Sequence, residues 1–92
     1  MEITFDPCKS NKNIVARGLS FERAVDFDWE TAIYIEDDRI TYPERRFIAL
    51  GFLEQRLHVI CFTPIKNGIR VISFRKSNSR EIKRYEKEKI HQ

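Results

Sequence analysis

Nine of the chain's 17 lysines and arginines lie from Lys66 onward, and their spacing is the strongest chemical signal in the sequence. Arg70, Arg75 and Lys76 sit on a stretch that reads as a strand. Arg80, Lys83, Arg84 and Lys87 follow at i, i+3, i+4 and i+7, which stacks four cations on one side of a helix. Arg46 adds a further guanidinium from an earlier strand. Arginines grip phosphate with two parallel donors, and several around one phosphate stabilise the extra charge of a pentavalent transition state. RNA carries its own nucleophile, the 2′-hydroxyl, so a protein that cleaves it supplies positioning, charge stabilisation and proton transfer. Glu81 and Tyr85, at i and i+4, are neighbours that could take the proton roles once their environments shift them. The candidate catalytic set is therefore Arg46, Arg70, Arg75, Lys76, Glu81 and Tyr85. The candidate RNA-binding set is Arg80, Lys83, Arg84 and Lys87, with Lys9, Asn13 and Arg17 on an earlier helix face. A blander reading has the same residues as a basic rim, a core tyrosine and a capping glutamate. The pattern alone favours binding without chemistry.

The formal net charge of +3 hides a split. The segment from Lys66 to the end carries nine basic and three acidic side chains, whereas the first 65 residues carry eight basic and eleven acidic ones. A polyanion responds to the local field of the basic end. The acidic residues Asp26, Asp28 and Glu30 around Trp29, and the run Glu36-Asp37-Asp38, lack calcium-loop spacing and read as solubilising loops. His58 lies in an apolar run and reads as structural; His91, one residue from the end, is expected to be disordered. Cys8 and Cys61 are far apart and accompany no histidine pair, so neither a metal site nor a cofactor is expected. No phosphate-binding glycine loop or hydrolase motif is present. The amino terminus lacks a signal-peptide pattern and no apolar run could span a bilayer, so a cytoplasmic protein without membrane contact is expected.

The elements that must position these residues fit one small domain over residues 1–92, with 41% hydrophobic content. A short strand covers Met1 to Phe5. Asp6 caps a helix with Pro7 at its first position, and Gly18 ends it after Arg17. Ser20 caps a second short helix with Phe21, Ala24, Val25 and Phe27 on its inner side. A strand over Ala32–Ile35 precedes three longer ones, Arg45–Leu53 (opening as early as Pro43), Arg56–Thr63 and Ile69–Arg75, arranged as an antiparallel meander. Glu54-Gln55 and Asn67-Gly68 make the turns, and Pro64 ends the middle strand. Strict alternation sets Ile69, Val71 and Ser73 against Arg70, Ile72 and Phe74. Asn78 caps a last helix to Lys89, with Glu81 in the capping-box place. The fold class is α+β, an antiparallel sheet with N-terminal helices and a C-terminal helix, and the expected core is Phe47, Leu50, Val59, Cys61, Val71 and Phe74.

Phe5-Asp6, Lys9, Asn13 and Gly18-Leu19-Ser20-Phe21-Glu22-Arg23-Ala24 are followed by Glu44, Arg46, Phe47 and Gly51, then by Arg70, Ile72, Ser73, Arg75, Lys76, Glu81 and Tyr85. In this order and register the sequence resembles the BrnT family of bacterial toxins. Family members often carry Lys-His-Gly where this chain has Ala16-Arg17-Gly18, and an arginine cannot serve as a base near neutral pH. The resemblance implies a RelE-like fold and a metal-independent ribonuclease that slows translation and growth. It also implies a BrnA-like antitoxin that masks the toxin and provides the only contact with DNA. A non-catalytic nucleic-acid-binding or protein-interaction domain remains the alternative.

Overall fold

The computed structural model describes residues 1–90; His91 lies outside the described residues. Five strands form one sheet: β1 (Glu2–Phe5), β2 (Ile33–Glu36), β3 (Phe47–Leu53), β4 (Arg56–Ile65) and β5 (Gly68–Lys76), in the order β1-β5-β4-β3-β2. The β3–β4–β5 meander is antiparallel as its turns require, and β2 pairs antiparallel with β3. β1 adds to the outer edge of β5 in parallel, so the α+β sheet is mixed.

Besides one-residue shifts at β1, β2 and the end of the last helix, three boundaries differ from the sequence expectation. β3 starts at Phe47, because Arg45 and Arg46 are drawn to Glu36 and Tyr42. β4 runs through Pro64 to Ile65. β3 pairs with β4 only up to Phe62, so the missing N–H of Pro64 falls where one side of β4 is an open edge. The second hairpin turns at Lys66-Asn67, with Asn67 at φ 67°, and Gly68 is already in β5. Gly68 is required for room: a Cβ there would collide with the Glu2 backbone carbonyl.

The sheet is covered on both faces. α1 (Pro7–Arg17) and a 3₁₀ segment (Phe21–Asp26) lie over one layer, in which Leu19, Phe21, Ala24 and Phe27 meet Ala49, Ile60, Phe62, Val71 and Phe74. α2 (Ser79–Ile90) covers part of the other, where Tyr85 and Ile82 meet Leu50, Leu57 and Val59. A register shift opposite Cys61 and Phe62 puts an extra residue into β5, so Val71 and Phe74 enter the same layer despite their odd spacing. Simple alternation had separated them. Leu50, Val59, Val71 and Phe74 are buried as expected, whereas Phe47 and Cys61 are half-buried. Phe47 opens β3 at the layer's margin, stacked on Phe62, and Cys61 faces a stretch of sheet that α2 leaves uncovered.

α1 begins where Asp6 accepts the Cys8 N–H and ends at Gly18, whose φ of 68° lets its N–H return to the Ile14 carbonyl. Its apolar residues do not hold it down; Val15 is 88% exposed. Two buried polar side chains do. The Ser10 hydroxyl accepts the Phe21 N–H, and the Asn13 amide donates 2.9 Å bonds to the Leu19 and Phe74 carbonyls. β1 pairs with β5 only as far as Val71, so Asn13 provides the donor for the strand edge beyond it.

Candidate nucleic-acid interface

Where the last turn of α1 meets the β3–β4 turn and the end of β5, an open cleft of about 880 Å³ is lined by Arg17, Arg23, Arg56, Arg75 and Lys76, with Glu54 the one acid. Each cation is delivered by a different local rule. Gly18 stops α1 so that Arg17 is its last residue, and the guanidinium is steadied by the Asn13 side-chain oxygen at 3.3 Å. The tight Glu54-Gln55 turn, with Glu54 at φ 57°, places Arg56 at the mouth, where it donates to the Ser77 carbonyl at 2.8 Å. Lys76 is the last residue of β5. Arg23 is neutralised by Asp26 and Glu54. Among the described residues, Arg17, Arg56 and Lys76 take part in no ion pair, so their field reaches the cleft uncancelled.

His58 also lines this cleft and is 5% exposed. It pairs with Lys76 across β4 and β5, and its ring meets Phe74 edge-on at 5.6 Å. Nδ1 lies 2.8 Å from the Arg56 carbonyl. Burial holds the imidazole below the ordinary histidine value; the bond to the Arg56 carbonyl opposes this, and the positive charges of Arg56, Lys76 and Arg23 push the same way as burial.

On the opposite face of the sheet, a second cleft of about 370 Å³ is lined by Arg46, Arg75, Glu81 and Tyr42, together with Asp37 and Arg39. Charges there are mostly matched. Arg75 grips Glu81 with two 2.9 Å contacts. Asp37 is bound by Arg39 and held down to about 2 by its hydrogen bonds, chiefly from that guanidinium. Arg46 lies over the Tyr42 ring at 4.1 Å and touches Glu44 at 3.4 Å, and its Nε is sealed from solvent without a partner. Among the described residues no cluster of three His, Cys, Asp or Glu side chains is placed to hold a metal ion. No helix among them is long and apolar enough to cross a membrane.

The family model described as "Ribonuclease toxin, BrnT, of type II toxin-antitoxin system" matches residues 5–81. The chain belongs to the BrnT family. Neither a search of curated proteins nor one of solved structures returned a match. The matched span contains every residue lining the two clefts and stops before most of α2.

Set against this BrnT fold, the residues singled out in the sequence do not converge on one point. Arg46, Arg75 and Glu81 share the second cleft, Lys76 and Arg17 share the first, and Arg75 lines both. Arg70 is exposed near the β1 end of the sheet, opposite Thr4 and Thr63, and lines neither cleft. Tyr85 is 8% exposed, packs edge-on against Phe52 and donates its hydroxyl to the Thr31 carbonyl, and it lines neither cleft. Glu81 and Asn78 form the reciprocal capping box, at 2.8 and 2.9 Å. Asn13 is no surface contact, since its amide is committed to two buried carbonyls. Lys9 is exposed on α1, and Arg80, Lys83, Arg84 and Lys87 are all exposed, as the helical spacing requires. The sequence reading missed Arg23, Arg56 and His58 as cleft residues. Arg56 and His58 follow a two-residue hairpin turn, which fixes them at one corner of the sheet; that turn was the available signal.

Proposed function

We propose that residues 1–92 act as a single cytoplasmic toxin domain, a metal-independent endoribonuclease that cleaves RNA in the larger cleft. Cleavage slows translation and growth. The observation that carries this reading is the trio Arg17, Arg56 and Lys76, three cations without ion-pair partners among the described residues, around one concave surface in a ribonuclease-toxin family. A phosphodiester seated there meets uncancelled positive charge from three elements, which is what the developing dianion of an in-line displacement needs. Arg75 adds charge from the strand end. β5 runs through Lys76 into α2, whose exposed Arg80, Lys83, Arg84 and Lys87 supply a further cationic track, on the face that α2 covers, for the flanking strand. The second cleft, with Arg46 and Glu81, is the weaker candidate because its charges are internally paired.

The same track is a docking surface for an acidic segment of a BrnA-like antitoxin, which would inhibit by occupying the RNA site, and the complex would meet DNA only through that partner. The test is incubation of purified protein with a defined RNA in EDTA. Cleavage that falls about 100-fold or more in an Arg17→Ala, Lys76→Ala variant is expected, since each phosphate-stabilising donor contributes roughly 2–4 kcal/mol. Intact RNA with the parent protein, or cleavage only after divalent metal is added, overturns the reading.

A further inference from the structure

Besides its cations and the exposed Glu54 carboxylate, which is paired with Arg23, the larger cleft holds a buried imidazole with a free lone pair. The Arg56 carbonyl can only accept a hydrogen bond, so the 2.8 Å contact with Nδ1 of His58 assigns the proton to Nδ1. In the neutral ring the lone pair is then on Nε2. Nε2 has no hydrogen-bond partner among the described residues. It is also not one of the sealed, unpartnered side-chain atoms there, which are Arg46 Nε and Thr63 Oγ1. The ring cannot swing away: the Arg56 carbonyl pins one edge, and Phe74 packs against the ring at 5.6 Å. Such a ring is a rigidly aimed proton acceptor beside Lys76, its cross-strand partner.

We propose that Nε2 of His58 is the general base that takes the 2′-hydroxyl proton when RNA is cleaved in this cleft, an inference that rests on the ribonuclease reading above. As Nε2 accepts that proton, the 2′-oxygen forms a bond to the adjacent phosphorus and the bond from phosphorus to the 5′-oxygen breaks. A solvent water protonates the leaving 5′-oxygen, and the hydroxide left behind takes the proton from His58. The products are a 2′,3′-cyclic phosphate and a 5′-hydroxyl, with no net consumption of water or redox partner. Arg17, Arg56 and Lys76 neutralise the phosphorane, while burial, aided by the charges of Arg56 and Lys76, keeps the imidazole in its basic form. The groups facing His58 are Arg17 from α1, Arg23 from the 3₁₀ segment, Glu54 and Arg56 from the β3–β4 turn, and Arg75 and Lys76 from β5. Burial, with the charges of Arg56, Lys76 and Arg23 behind it, favours the uncharged ring.

The experiment is a single-turnover pH–rate profile of the parent protein on a defined RNA in EDTA, beside an NMR titration of the His58 ring. A His91→Gln variant assigns the resonances. The rate is expected to rise with pH through one inflection below the ordinary histidine value of 6.5 and then level off, with the inflection coinciding with the His58 titration. His58→Gln should lower the rate by about 100- to 10,000-fold while leaving affinity for a 2′-deoxy-substituted RNA within about twofold. Added imidazole should restore part of the activity of His58→Ala. Should these variants fail to fold, the coincidence of rate and ring titration in the parent still decides. A parent that cleaves RNA with a pH profile unrelated to His58, or a folded His58→Gln that cleaves at the parental rate, overturns this inference alone. A parent that arrests growth and leaves RNA intact overturns the ribonuclease reading as well.

Discussion

Arg75 and Glu81 are joined by two parallel N–H···O contacts of 2.9 Å that tie the end of β5 to the first turn of α2. Glu81 simultaneously accepts the Asn78 N–H, so one carboxylate serves both an ion pair and a helix cap. The guanidinium lies between the two clefts, and the pair fixes the angle at which the cationic stripe leaves the sheet.

Separating the two jobs of Glu81 takes two substitutions. Glu81→Gln keeps a cap acceptor and loses the ion pair; because the side chains are 38% and 22% exposed, it should cost at most about 1 kcal/mol. Glu81→Ala also loses the cap and should cost about 0.5–2 kcal/mol more. Thermal melts check this, at about 4–8 °C per kcal/mol for a domain of this size. The pH dependence follows from the depressed Glu81 carboxyl, for which Arg75 is the main cause. Its contribution is fully present above the ordinary value of 4.5 and is lost as pH falls through the folded value. The acid limb of stability should therefore flatten in Glu81→Gln, and an unchanged limb would show that Glu81 is not the group responsible.

Asn13→Ala should leave the buried carbonyls of Leu19 and Phe74 without their donor, at about 1–3 kcal/mol. Asn13→Asp should be worse, because a carboxylate has no hydrogen to give and would face two carbonyl oxygens. Denaturant melts decide. A parental midpoint for Asn13→Ala would mean α1 is anchored elsewhere.

At Gly51 a Cβ would stand 2.6 Å from Phe27 Cζ and 2.9 Å from the Ala32 Cβ. Gly51→Ala should destabilise by about 1–3 kcal/mol through overpacking. Phe27→Leu should recover part of that loss, giving a favourable coupling term in a double-mutant cycle. Strict additivity of the two changes would place the strain somewhere other than the Phe27 ring.

Lys83→Glu with Arg84→Glu reverses two of the four exposed cations on α2. RNA affinity should fall and its log–log salt slope should shrink by about 1–2, given roughly 0.7 counterions released per phosphate contact on a single strand. Association with the antitoxin should slow in parallel and lose salt sensitivity. Stopped-flow rates at two salt concentrations test both. Normal antitoxin capture beside weakened RNA binding would show separate surfaces and remove competition as the mode of inhibition.

His58 links stability to the same chemistry. Burial depresses its folded value below 6.5, so the unfolded chain binds more protons across that interval and stability should fall as pH drops through it. Chemical denaturation at a series of pH values should show this slope, and His58→Gln should remove it.

Local chemistry was sufficient for several parts of this molecule. The Asp6–Pro7 start and Gly18 stop of α1, the Ser20 cap, the Asn78–Glu81 box and the Glu54-Gln55 turn all depend on groups within four residues of one another, so the chain's own spacing decides them. The outward stripe of α2 follows from helical periodicity alone. The motifs in register also disclosed the BrnT family. Long-range packing decided the rest. The extra residue in β5 is created by its pairing with β4, and only that shift moves Phe74 into the layer of Val71. Asn13 is buried because β1 ends too early to serve the Phe74 carbonyl, 61 residues away in the chain. The larger cleft gathers Arg17, Arg56, His58 and Lys76 from three elements. Whether each cation is cancelled by a carboxylate depends on neighbours that no local pattern reveals.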